Sequence, residues 1–126
     1  MNHLARWHRK FANAFRGVRA GIEGQDSFWV HLPCSAIVLG FAFILKCSSV
    51  EWAILFLCIG FVLSAELFNS SIEWLSRGLC KEENTDVGKA LDIASGAVLV
   101  ASIFAAFAGL AILAIRLLGY LTQANG

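Results

Sequence analysis

The chain has 126 residues, of which 58% are hydrophobic and only 15% charged, more apolar surface than one small globular domain can bury, so a soluble fold is excluded and much of the chain must face lipid. The formal net charge of +1 hides an asymmetry: five of the ten basic residues, Arg6, Arg9, Lys10, Arg16 and Arg19, precede the first acid, Glu23. That is the pattern of a membrane-surface segment and not of a nucleic-acid arm, and no nucleic-acid partner is expected.

The first predicted element is an amphipathic interfacial helix over residues 1–25. Leu4, Trp7, Phe11, Phe15, Val18 and Ile22 recur at steps of three and four, with the basic residues filling much of the remainder. Residues 28–45 form a largely apolar run broken only by His31, Pro33 and Ser35. At about 1.5 Å per residue this run reaches roughly 27 Å, and it is taken as the first span, about 28–46. Pro33 fits the first turn of that helix and Trp29 the aromatic belt beside it. The charged leader is too long, and no small-residue site follows the apolar run, for a cleaved signal, so this span is expected to be retained. After a short turn at 46–51, Trp52 opens a second span, about 52–75. It is almost wholly apolar to Ala65 and then carries Glu66, Asn69, Ser70 and Glu73 before Arg77. Residues 78–89 read as a polar loop, and 93–115 contain no charge, giving a third span at about 92–118. Its Ala94, Gly96, Ala101, Ala105 and Gly109 offer small surfaces for close helix packing. Cys34, Cys47, Cys58 and Cys80 have neither CxxC nor Cys/His spacing, so neither zinc nor a disulfide framework is expected. The sequence therefore predicts one all-α integral membrane domain over 1–126. Lysine and arginine favour the leader and second loop over the first turn, which puts the N-terminus on the cytoplasmic side.

The chemistry concentrates in the second span. A carboxylate at the centre of a lone membrane helix costs about 2.5 to 3.5 kcal/mol on insertion scales, and Glu66 lies at depth. Glu66, Asn69 and Glu73, at steps of three and four, share one helix face, with the two carboxylates roughly 10 Å apart along the axis. Glu66 lies where a lipid hydroxyl reaches, and Glu73, beside Trp74, where water, a metal ion or a nucleotide does. Such a stripe suits transfer between a soluble donor and a membrane acceptor. It also suits plain polar packing between helices, or a small cation transporter using Glu66 as carrier, although three spans and a long basic surface helix fit transport poorly.

Ala65-Glu66-Leu67-Phe68-Asn69-Ser70-Ser71-Ile72-Glu73 closely resembles the signature of the prokaryotic diacylglycerol kinase and undecaprenol kinase family, and Asp92-Ile93-Ala94-Ser95-Gly96-Ala97-Val98-Leu99 resembles its second signature. The resemblance runs from about Arg6 to Ala114 and includes Gly17 and His31. It implies a homotrimer of three-span subunits in the bacterial inner membrane, active sites between subunits, ATP and Mg2+ as cofactors, and a membrane lipid alcohol as acceptor, with diacylglycerol expected and undecaprenol the alternative. It further implies that Glu66 is the general base, Asn69 its polar partner, and Glu73 a metal ligand on the nucleotide. Asp92 would help hold the nucleotide, and Arg6 would lie near the bound substrates. Three positions depart from the family pattern: Gln25 replaces a metal-binding glutamate, Leu91 a lysine, and Arg77 an aspartate. Gln25 can still offer an amide oxygen to the metal. Arg77, or else Lys89, is expected to supply the cation that Leu91 lacks. The same departures would also suit an inactive relative kept as a membrane scaffold.

Overall fold

The computed structural model describes residues 3–124, which form four helices: α1 (His3–Glu23), α2 (Phe28–Ile44), α3 (Ser49–Leu79) and α4 (Thr85–Ala124). The amphipathic leader is α1. Leu4, Trp7, Phe11 and Phe15 are exposed along it, as an apolar face meant for lipid would be, and Lys10 sits 5.1 Å over the Trp7 ring. The axis turns by 104° between α1 and α2, so α1 lies crosswise to the bundle, the attitude of a helix resting on a membrane surface. It packs closely on α3 at Gly21, where a Cβ would come 2.5 Å from Leu67 Cδ2. Any side chain there must push Leu67 aside.

The helices α3 and α4 are both long and apolar enough to cross a membrane. The 17 residues of α2 rise about 26 Å, close to the hydrocarbon thickness of about 30 Å. The main packing is between α3 and α4, which run antiparallel. Leu55 and Val62 of α3 are buried, as are Ala94, Ala101 and Gly109 of α4, so large residues on one helix face small ones on the other. Of the small residues expected to pack, Gly96 and Ala105 stay half-buried.

Three local features differ from the sequence reading. Pro33 is the sixth residue of α2, not a first-turn residue, because the helix already starts at Phe28 after the turn at Asp26 and Ser27; the missing N–H leaves the Trp29 carbonyl without its helical partner. The expected loop 78–89 shrinks to residues 80–84. Arg77 closes the last turn of α3, and Asn84 starts α4 early by accepting from the backbone N–H groups of Asp86 (3.0 Å) and Val87 (3.2 Å). At the opposite end, Ser48 and Glu51 form a reciprocal capping box that starts α3 at Ser49.

Glu51 also receives Arg116 of α4, whose Nε lies 2.8 and 2.9 Å from the two carboxylate oxygens and whose second guanidinium nitrogen lies 2.5 Å from one of them. This forked pair fastens the start of α3 to the end of the apolar part of α4. Arg116→Ala is therefore expected to lower the midpoint of thermal unfolding in detergent, and the charge swap Glu51→Arg with Arg116→Glu to recover part of the loss. Additive losses in a double-mutant cycle on that midpoint would show that the pair does not couple the helices. Beside it, burial, reinforced by the Glu51 charge, pushes the Cys47 thiol above its ordinary value, so it remains a neutral packing group and not a nucleophile.

Candidate active site

Within α3, Glu66, Asn69 and Ser70 are all buried, at 2%, 7% and 1% exposure. Ser70 satisfies itself by donating to the Glu66 carbonyl at 2.9 Å, the usual resort of a hydroxyl inside a membrane helix. The Glu66 carboxylate is held from α2: Ser27 Oγ donates to Oε2 at 2.9 Å, and His31 Nε2 lies 3.0 Å from Oε1. Ser27 occupies the N-cap position of α2 yet makes no cap bond, its hydroxyl being turned to Glu66. The N–H groups that a side-chain cap would meet donate instead to backbone carbonyls, Trp29 to Asp26 and Val30 to Ser27, both at 3.0 Å.

Two turns along the same face, Glu73 forms a second cluster. Asn69 Nδ2 donates to its Oε1 at 2.9 Å, and the Gln25 amide donates to its Oε2. Arg77 lies 3.9 Å from Oε2 and stacks over the Trp74 ring at 4.6 Å. The corner between α1 and α2 reaches both carboxylates, Gln25 going to Glu73 and Ser27 to Glu66. It runs so close to α3 that a Cβ on Gly24 would lie 3.2 Å from the Trp74 indole nitrogen.

Of the residues singled out from sequence, Glu66, Asn69, Glu73, Gln25 and Arg77 come together. Asp92 is exposed on α4, and its helix reaches the cluster through Ser95, whose hydroxyl lies 3.5 Å from Asn69 Oδ1. Lys89 pairs instead with Asp86 at 3.8 Å. Arg6 is on the exposed side of α1, roughly 25 Å along the axis from the corner. The sequence reading assigned no role to Ser27 or His31. Their signal was present, since they are polar residues four apart on one face of an otherwise apolar span.

Among the described residues no group of three His, Cys, Asp or Glu side chains could hold a metal ion. Glu73, Gln25 and Asn69 nevertheless converge as one carboxylate and two amides, and turning either amide about its last torsion presents its oxygen. Magnesium characteristically takes one or two carboxylates together with waters and substrate phosphates, so this donor set fits an ion arriving with a nucleotide and not a pre-built cage.

The fold and site define a helical integral membrane protein with one carboxylate buried at membrane depth and a second, hydrogen-bonded to amides, towards the end of the same helix. The family model described as prokaryotic diacylglycerol kinase matches residues 12–113. The chain belongs to that family and is a lipid kinase, a phosphotransferase that uses ATP as donor. Undecaprenol kinase of Bacillus subtilis (strain 168) is 32% identical over 111 residues, covering 88% of this chain and 90% of the relative. No solved structure matches the chain.

Proposed function

We propose that this kinase phosphorylates a long-chain polyprenol of the undecaprenol type. The observation that carries this reading is the match, over nearly the whole of both chains, to a relative named undecaprenol kinase. A cavity of about 410 Å³ among α2, α3 and α4 has room for an apolar chain of either acceptor: His31, which touches Glu66, is one wall, and Val38, Leu55, Val62, Leu110 and Leu113 are others. An unbranched or isoprenoid chain suits such a lining. Diacylglycerol, expected from sequence, stands as the second reading, favoured by the family's own description.

In the proposed mechanism Glu66 accepts the proton of the lipid hydroxyl as its oxygen attacks the γ-phosphorus. The bond to the bridging β–γ oxygen breaks and ADP leaves with that oxygen. Asn69 ties the two ends of the site together through its bond to Glu73. Glu73, with Gln25 and Asn69 turned to offer oxygen, would hold Mg2+, which supplies charge neutralisation around the phosphates when bound. Arg77 is the nearest cation to that cluster and would meet a phosphate by leaving Trp74. Asp92, Lys89 and Arg6 lie apart within one chain, and exposed apolar faces such as Phe61, Phe104 and Phe107 remain for lipid or further copies. A homotrimer in the bacterial inner membrane, with its N-terminus cytoplasmic, would let a second copy complete the nucleotide side.

The test is purified protein incubated with labelled ATP and either undecaprenol or 1,2-diacylglycerol in mixed micelles. Labelled polyprenyl phosphate should form faster than labelled phosphatidate. Faster phosphatidate formation would move the assignment to diacylglycerol, and no labelled lipid from either would favour the scaffold.

A further inference from the structure

We propose that His31 and Ser27 are positioning residues that hold the Glu66 carboxylate in its reactive orientation by donating one hydrogen bond to each of its oxygens. The proposal rests on Glu66 being the proton acceptor. The geometry that points to it is the convergence of His31 Nε2 on Oε1 (3.0 Å) and Ser27 Oγ on Oε2 (2.9 Å). An ionised carboxylate only accepts, so the imidazole must present Nε2–H to it. Ser27 and His31 are four residues apart, on one face of α2, and together they span the carboxylate from one side.

Two observations separate this arrangement from ordinary polar packing. Ser27 stands at the N-cap of α2, yet its hydroxyl goes to Glu66 while the Trp29 and Val30 N–H groups of the first turn are met by the Asp26 and Ser27 carbonyls. The two groups also meet a carboxylate that is 2% exposed, where no water is at hand to replace a missing donor. Without them the side chain would be free to turn, and a general base a fraction of an ångström out of line loses its effect. The corner that carries Ser27 also carries Gln25, so the same few residues orient both carboxylates of the site.

The test compares His31→Ala, His31→Gln and Ser27→Ala in purified protein. His31→Ala is expected to lower kcat by about tenfold or more, in the range seen when a supporting hydrogen bond is removed, with KM for ATP and lipid unchanged. His31→Gln, whose amide N–H has nearly the reach of Nε2, should recover most of that loss; Ser27→Ala should lower kcat less than His31→Ala does. A second readout needs no activity: 15N NMR of the His31 ring in micelles should show the Nε2–H tautomer, and Glu66→Gln should change its signal. A change in KM alone, no recovery with glutamine, or a ring signal indifferent to Glu66→Gln would each overturn the proposal. Failure of the underlying reading looks different, because Glu66→Gln would then itself remain active.

Discussion

Replacing Glu66 by glutamine is expected to reduce turnover by about a hundredfold or more while the chain stays folded in the membrane. The substitution keeps the volume and leaves an amide whose oxygen accepts from one of the two donors. The Ser27 hydroxyl turns to accept from the new NH2 at no change of place, so the α2–α3 contact survives. What disappears is the capacity to take a proton. Turnover measured with labelled ATP and lipid, beside the midpoint of thermal unfolding, checks both halves. Activity above about a tenth of the parent protein would remove Glu66 from the role of base, because loss of a general base costs on the order of 10² or more.

Glu73→Gln acts on a different quantity. It removes the one negative charge from a cluster of two amides and a guanidinium, and a hard divalent ion held as proposed would lose its strongest ligand. The magnesium concentration giving half-maximal rate should rise by on the order of tenfold or more, with much of kcat restored at saturating magnesium. Arg77, relieved of its neighbour at 3.9 Å, would keep its stacking on Trp74, so the helix end should not unwind. A magnesium titration that superimposes on that of the parent protein would exclude Glu73 as a ligand.

Much of this was legible in the sequence because membrane helices leave little freedom. Steps of three and four placed Glu66, Asn69 and Glu73 on one face, and in the folded chain Asn69 bonds Glu73 directly. The crosswise α1 followed from its basic and aromatic alternation. Contacts between helices were harder to read. The family resemblance implied a link between Gln25 and the metal site, but that it donates to Glu73 depends on the tight corner at Gly24. That the Ser27 hydroxyl goes to Glu66 depends on how α2 sits against α3. Helix ends were misjudged where single side chains decide them, as Asn84 does for α4, since apolar composition marks the membrane core and not the length of the helix.

The uninterrupted course of α3 has a consequence for tolerance. Both carboxylates ride on one rigid rod, so the step between the proposed proton acceptor and the proposed metal-side ligand is set by the pitch of the helix, roughly 10 Å for seven residues, and not by any closing movement. The span works as a ruler. Insertion or deletion of a single residue between Glu66 and Glu73 would rotate one of them by about 100° out of the shared face. The lipid and the nucleotide must come to fixed marks, and only the donors around those marks are left free to vary.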